Sequence, residues 1–135
     1  MNKKMNASVQ AYNNSEIKHN DCLSCHEAIF NPICPECILK QFRSWTKIHP
    51  GLKKVEQIIV NFVNKHRIFN KNSQTCITCK KHSSYLCPYC FTEYIFNLLK
   101  KARLSRALIG EFLFLFNYDL EHTGYYKEGE RLGVF

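Results

Sequence analysis

Eight cysteines arranged as four Cys-x-x-Cys pairs constrain this chain more than any other feature of its sequence. Each pair places two sulfurs on one tight turn, facing a single metal ion, and two pairs complete a tetrahedron of four thiolates. The pairs account for every cysteine in the chain. They are Cys22 and Cys25, Cys34 and Cys37, Cys76 and Cys79, and Cys87 and Cys90. We therefore predict two metal sites, each with four cysteine ligands.

The pairs fall into two groups with the same pattern, which predicts a duplicated unit. In each group seven or eight residues separate the two pairs, Pro follows the third cysteine, and an amphipathic helical pattern follows the fourth. Loops this short close at little cost, so each group is predicted to bind its own ion. The predicted sites are Cys22, Cys25, Cys34 and Cys37, and Cys76, Cys79, Cys87 and Cys90. The alternative is a cross-braced pairing that joins the first pair to the third.

The ligand type narrows the choice of metal and of chemistry. Soft thiolates select zinc or iron over harder ions, so we expect two Zn²⁺ per chain, with rubredoxin-like iron as the alternative. Four sulfurs leave no open position for water or substrate, so such a site holds structure and does not catalyse. A disulfide framework is disfavoured because the first residues are polar and rich in Lys and Asn, without a secretory signal. A thioredoxin-like redox role would need a βαβ pattern around the cysteines.

Each group consists of a zinc knuckle, which is a turn formed by the first Cys-x-x-Cys pair, and a second pair at a helix start. This arrangement resembles treble-clef and short zinc-ribbon modules. The resemblance covers roughly residues 22–48 and 76–103, and it depends on the eight cysteines and the helical patterns after them. It implies a small zinc-stabilised fold, and it implies binding to nucleic acid or to other proteins.

Apolar residues recur at helical spacing through most of the chain. The predicted helices run from Cys37 to about Ile48, from Leu52 to His66, from Phe91 to Arg103, and from a capping Ser105 to about Leu120. The predicted fold is therefore a small, mostly α-helical domain stapled by two metal sites, with short β-hairpins at the knuckles at most. Trp45 and Tyr94 lie on apolar faces and are predicted to pack in the core.

The composition divides the chain into three regions. Residues 1–20 are polar and are expected to be mobile. Residues 21–123 are predicted to form the duplicated domain, with units 21–70 and 71–123, and residues 124–135 an irregular tail. No apolar run reaches the 18 or so residues that span a membrane. We expect a soluble, cytoplasmic protein in a compartment that keeps thiols reduced.

The charges are distributed unevenly along the chain. Residues 38–110 carry fourteen Lys and Arg but only two acids, Glu56 and Glu93, whereas residues 111–135 carry five acids and two cations. The formal charge of +8 falls to about +4 when two zinc ions and eight thiolates are included. A basic body of this kind predicts a polyanionic partner.

Two sets of cations are the candidate phosphate contacts. Lys40, Arg43 and Lys47 recur at spacings of three and four on the first predicted helix, with few acids nearby. An ordinary solvated helix face is the alternative interpretation, but such faces usually interleave Glu with Lys. The second set follows the second cysteine group and consists of Lys100, Lys101, Arg103 and Arg106. The predicted function is thus non-catalytic binding of DNA or RNA.

A protein-interaction adapter or assembly factor is the competing function. The segment Leu108–Phe116 has a broad apolar side, which is typical of a buried central helix or of a contact with a partner or a second copy. Tyr125 and Tyr126 in the tail could extend such a contact.

An enzyme is not expected, because no acid–base pair or nucleophile occurs at a useful spacing. Asp119, Glu121 and His122 are interpreted as a solvated helix end. His26 and His82 adjoin the knuckles, but four cysteines already fill each site. These histidines are therefore predicted to be surface residues or to support the ligands.

Overall fold

The computed structural model describes residues 21–29, 32–69, 73–118 and 124–133. Within these ranges the chain forms five α-helices, a 3-10 turn and a two-stranded antiparallel hairpin. The helices are α1 (Pro35–Thr46), α2 (Lys53–Phe69), α3 (Pro88–Lys101), α4 (Arg106–Leu115) and α5 (Gly124–Arg131); the 3-10 turn is Pro50–Leu52, and the strands are Gln74–Thr75 and His82–Ser84. The prediction of a small, mostly helical fold with short hairpins at most is confirmed.

Helices α1 and α3 begin in the same way, because each starts at the third cysteine of a group. Cys34 and Cys87 occupy the N-cap positions with extended backbone. Pro35 and Pro88 follow at the first helical position, where the missing N–H of proline costs no hydrogen bond. The positive dipole ends of both helices therefore lie beside cysteine sulfurs, which favours thiolate charge.

The largest aromatic part of the core lies where α1 meets α4. Phe42 and Trp45 of α1 pack against Phe112 of α4 and against Phe116, the residue that follows α4, with ring centroids 5.8 to 6.2 Å apart. All four side chains are buried, so the prediction that Trp45 belongs to the core is correct. This cluster holds α1 in place from the side opposite its charged face.

Helix α2 packs against α3 through a second group of rings. Phe62 stacks on Tyr94 with centroids 4.4 Å apart, and Phe91 lies behind them, fully buried. Tyr94 itself is half-buried, so it packs on the core as predicted while keeping one side toward solvent.

Helix α4 begins where the sequence predicts but ends earlier. Ser105 caps it and accepts a hydrogen bond from the Leu108 N–H at 3.2 Å. The helix ends at Leu115 instead of near Leu120, because the chain turns at Phe116 and buries that ring completely.

The prediction that Leu108–Phe116 is apolar and buried holds for one side of α4 only. The side chains buried on that side are Ile109, Phe112, Leu113 and Phe116. Phe114 is 79% exposed and Leu115 is 43% exposed. Helix α4 therefore carries more apolar side chains than the core buries.

The C-terminal segment forms a helix, so the predicted irregular tail is wrong over residues 124–131. Gly124 and Gly129 give this segment a low intrinsic helix propensity. It is helical because α5 packs against α3 and α4, and short helices of this kind depend on such contacts.

The predictions for residues 1–20 and for Asp119, Glu121 and His122 lie outside the described residues, as do the side chains of Tyr125 and Tyr126. Among the helices that the structure does describe, none is long and apolar enough to cross a membrane.

Candidate metal centres

The eight sulfurs gather into two groups of four. Within each group, all the sulfur atoms lie within 4.8 Å of one another. Site I consists of Cys22, Cys25, Cys87 and Cys90, and site II consists of Cys34, Cys37, Cys76 and Cys79. Each group can hold one metal ion, so the chain carries two candidate metal centres, as the sequence predicts.

The pairing is nested, and both the sequential prediction and the cross-braced alternative are wrong. Site I joins the first pair to the fourth, and site II joins the second to the third. The sequential pairing would close a loop of only eight residues between Cys25 and Cys34, whereas the observed pairing closes a loop of 38 residues between Cys37 and Cys76. Closing the longer loop costs only about 1.4 kcal/mol more. A few additional contacts are enough to offset that difference.

The two knuckles have one backbone conformation. In the first knuckle (residues 22–27) and the second (residues 76–81), the residue after the second cysteine is left-handed: His26 has φ 63° and Lys80 has φ 67°. The N–H of each donates to the carbonyl of the first cysteine, at 2.9 and 3.0 Å. This conformation costs a non-glycine residue about 1–2 kcal/mol. Its recurrence indicates a turn that brings the two sulfurs of a pair together.

Each knuckle docks on the helix start of the other unit. The Leu23 N–H donates to the Tyr85 carbonyl at 3.0 Å, and the Ile77 N–H donates to the Pro32 carbonyl at 2.8 Å. Both donors follow the first cysteine of a knuckle, and both acceptors lie two residues before a helix-capping cysteine. The first knuckle therefore belongs with α3 and the second with α1. These equivalent contacts help to offset the longer loop closure.

The sulfur spacing fits a tetrahedral metal ion. Four sulfurs bonded at about 2.3 Å to one centre lie about 3.8 Å apart. In site II, the Sγ atoms of Cys34 and Cys79 are 3.7 Å apart, and those of Cys37 and Cys76 are 3.8 Å apart. A disulfide requires about 2.05 Å, and all eight cysteines are unbridged.

One thiol in each site is prepared for ionisation by backbone donors. Burial acts to raise the pKa of Cys76, but three backbone N–H groups outweigh it and lower the pKa to about 6. The donors are Cys79, Cys34 and Thr78. Cys22 follows the same rule: burial opposes ionisation, yet three backbone donors lower its pKa to about 7. Each knuckle thus supplies the first thiolate of its site.

The helix-capping pairs resist ionisation. Burial raises the pKa of Cys87 to about 11, and burial also raises the pKa of Cys34. The pKa values of Cys37 and Cys90 are raised as well, through burial first and then through the neighbouring thiol of the same pair. Four thiolates this close repel one another, and a divalent cation at the centre removes that repulsion. The electrostatics of both sites therefore fit a bound cation.

The two histidines near the knuckles are not members of either sulfur group. His26 is exposed in the first knuckle. His82 lies in the hairpin, where its Nδ1 is 3.1 Å from the Thr75 hydroxyl. The prediction that these two histidines are not metal ligands agrees with this geometry.

The first set of candidate phosphate contacts lies together on α1. Lys40, Arg43 and Lys47 are exposed and line one shallow groove of about 340 Å³. The Arg43 Nε donates to Glu56 Oε2 at 3.1 Å, while the Arg43 side chain remains 57% exposed. The three cations therefore share a surface, with the charge of Arg43 partly balanced by Glu56.

The second set of cations is divided by α5. Lys101, Arg103 and Arg106 are exposed at and after the end of α3. Lys100 is only 30% exposed and forms an ion pair with Glu128 of α5. The structure therefore does not present these four cations as one open surface.

Two acids have structural roles that the sequence pattern does not indicate. Buried Glu56 accepts a hydrogen bond from the Thr46 hydroxyl at 2.6 Å, which lowers the pKa of its carboxyl group. Glu111 accepts from Trp45 Nε1 at 2.6 Å and lies 2.8 Å from His49 Nε2. Glu56 is one of only two acids among residues 38–110. That isolation is a signal in the sequence that could have predicted a pairing of Glu56 with a nearby cation.

Comparison of the chain with protein-family models, with curated proteins and with solved structures found no match.

Proposed function

We propose that this protein is a zinc-stabilised, non-catalytic nucleic-acid-binding protein whose main contact surface is the basic face of α1. The observation that carries the proposal is the groove lined by Lys40, Arg43 and Lys47 on a helix whose first turn belongs to site II. A metal at site II would fix the start of α1, and the α1–α4 aromatic cluster holds its opposite side. Cations on so rigid a helix suit phosphate contacts that position a nucleic acid.

The one acid in this groove does not cancel its positive charge. Glu36 lines the groove, but its carboxylate accepts a hydrogen bond from Arg67 at 2.9 Å. Lys40 and Lys47 form no ion pair among the described residues. The groove therefore keeps a net positive charge beside α1, and a polyanion would gain by binding there.

Zinc is the metal that we propose for both sites. Each knuckle with its partner helix start resembles a treble-clef module, although here knuckle and helix come from different units. Four thiolates in a closed tetrahedral set suit a structural Zn²⁺, and they leave no position for a reacting water. Metal analysis of the purified protein distinguishes zinc from iron. The absorption spectrum does so as well, because an iron tetrathiolate absorbs visible light and a zinc tetrathiolate does not. Two iron ions per chain would contradict the choice of zinc.

The test of nucleic-acid binding is a charge reversal on α1. Replacing Lys40, Arg43 and Lys47 by Glu should weaken binding to an unspecific duplex roughly tenfold or more at low salt. For the unmodified protein, about five phosphate contacts predict a slope of log affinity against log salt near −4 or −5. The reversed variant should show a slope that is shallower by about 2 to 3.

A matched control separates this surface from net charge. Lys54, Lys65 and Lys81 are exposed elsewhere, and replacing them by Glu changes the net charge equally. Equal weakening by both triple variants would mean that no particular surface binds. No binding of duplex or single strands at low salt would contradict the proposed function. Metal content must stay the same in both variants, and both must remain folded at the temperature of the binding assay, because Arg43→Glu also removes the ion pair with Glu56.

A protein-interaction adapter is the second candidate, and the exposed apolar residues of α4 favour it. Phe114 is 79% exposed and Leu115 is 43% exposed on a helix whose other side is in the core. Large exposed apolar side chains of this kind are typical of contact surfaces. Sedimentation of the unmodified protein and of a Phe114→Ser variant tests for a homodimer through this surface. A monomer in both cases leaves only a different protein as the partner of α4.

A further inference from the structure

The C-terminal helix lies against the second set of cations, the one that follows α3. Helix α5 packs on both α3 and α4. Its Glu128 carboxylate forms an ion pair with Lys100, and the same carboxylate lies 3.5 Å from the Arg131 guanidinium. Lys100 is therefore partly covered by the helix, with 30% of its side chain exposed, and its charge is paired with an acid of this chain.

The turn after α5 reaches the last member of the set. Gly133 has φ 77°, and a Cβ atom built on it would lie 3.9 Å from a terminal nitrogen of Arg106. The backbone of this turn thus lies beside the Arg106 guanidinium. One short C-terminal segment, residues 124–133, thus pairs with Lys100 and passes near Arg106, while Lys101, Arg103 and Arg106 remain exposed.

We propose that α5 is an autoinhibitory cover, which withholds Lys100 from nucleic acid until a polyanion displaces Glu128. This inference rests on the proposed function and adds a regulation of the same binding activity. The phosphate of a bound strand and the Glu128 carboxylate compete for one ammonium group. With the cover in place, α1 supplies the main contacts; with the cover displaced, Lys100 joins Lys101 and Arg103 in a second contact surface.

The first experiment compares two variants of the full chain that have the same net charge. Glu128→Gln removes the ion pair with little change in shape, and it should raise the affinity for a duplex oligonucleotide about threefold at low salt. The slope of log affinity against log salt should steepen by about 0.9, the contribution of one phosphate contact. Glu130→Gln is the matched control, because Glu130 is exposed on the same helix and forms no ion pair among the described residues.

A double variant shows whether the gain passes through Lys100. Adding Lys100→Gln to Glu128→Gln should return the affinity and the salt slope to the values of the unmodified protein, whose net charge the double variant shares. Equal gains in affinity for Glu128→Gln and Glu130→Gln would overturn the inference. The proposed function would still stand in that case if the charge reversals on α1 weaken binding. An absence of binding in all variants, the unmodified protein included, would overturn both.

A second measurement tests the cover without any nucleic acid. An amine-acylating reagent should modify Lys100 more slowly than the exposed Lys101 in the unmodified protein, and mass spectrometry can follow both. In Glu128→Gln the rate at Lys100 should approach the rate at Lys101, whereas Glu130→Gln should leave the difference in place. Equal rates at the two lysines in the unmodified protein would overturn the inference.

Discussion

Sites I and II have the same ligand pattern and the same knuckle geometry, but they differ in their surroundings. Cys25 of site I is exposed, and its knuckle is flanked only by the isolated bridge between Asp21 and Ala28. No ligand of site II is exposed, and the second knuckle lies within a paired hairpin. Cys79 Sγ of site II is also 3.8 Å from the Ser83 hydroxyl. Site II is therefore the better supported of two similar centres.

The helices behind the two sites pack on different neighbours. Helix α1, which starts in site II, is held from behind by the rings of Phe112 and Phe116. Helix α3, which starts in site I, stacks its own Tyr94 on Phe62 of α2 and buries Phe91, Ile95 and Phe96 completely. Both helices are well packed, so the two sites differ chiefly in the exposure of their ligands and in the structure around their knuckles.

Metal removal should give the largest effect and should show the inequality directly. Structural zinc sites contribute roughly 10–16 kcal/mol in small domains, so a strong chelator should abolish most of the helical circular dichroism. Release should occur in two steps, with site I first, because Cys25 is open to solvent. A thiol-reactive reagent and a zinc-sensitive dye can follow the two steps. Metal-free protein with unchanged helicity would contradict the structural role of both sites.

Cysteine substitutions should rank the two sites. Cys76→Ser removes a fully buried ligand that accepts several backbone hydrogen bonds, so we expect a loss of more than about 4 kcal/mol in unfolding free energy. Cys25→Ser should cost about half as much or less, since water can replace an exposed ligand. Urea denaturation of both zinc-loaded variants measures the difference. Equal losses would mean that burial does not distinguish the sites.

The support behind α1 can be tested through Phe112. Phe112→Ala should cost about 3–5 kcal/mol of unfolding free energy, because a large ring is removed from the aromatic cluster, and it should weaken metal binding at site II more than at site I. Phe112→Asp should cost more, since it also buries a charge. Phe114→Ala is the control on the same helix and should change stability by less than about 0.5 kcal/mol. Similar melting of the two alanine variants would refute the role given to the cluster.

The smallest effect should come from the acid that ties α1 to α2. Glu56→Gln weakens the hydrogen bond from Thr46 and the ion pair with Arg43, so we expect a loss of about 1–2 kcal/mol at neutral pH. The Thr46 hydrogen bond lowers the folded pKa of Glu56. Its contribution is therefore complete above the unfolded value near 4.3 and is lost as the pH falls through the lower folded value.

The matching acid of α3 provides the control for that prediction. Glu93 is half-buried and accepts one hydrogen bond, from the Tyr89 hydroxyl at 3.1 Å. Glu93→Gln should therefore cost less unfolding free energy than Glu56→Gln at neutral pH. Denaturant melts of both variants at neutral pH measure this, and a larger loss for Glu93→Gln would contradict the expected order.

The sequence by itself determined the local parts of this protein. The spacing of the cysteines identified two four-sulfur sites, because a Cys-x-x-Cys turn is a short-range device whose geometry needs no distant residue. Periodicity located the helices α1 to α4, and Ser105 marked the start of the last of them, because capping is equally local. These features depend on neighbours within one or two turns of chain.

Only the tertiary structure decided which parts belong together. The nested pairing, the early end of α4 at Phe116 and the helical state of α5 each depend on contacts between distant segments. Loop closure distinguishes the possible pairings by only about 1–2 kcal/mol, which is less than the packing of α1 with α4 and of α2 with α3 can supply. The local sequence pattern gives no information about such contacts. Only the folded structure therefore shows which helix each knuckle packs against and which acid pairs with Lys100.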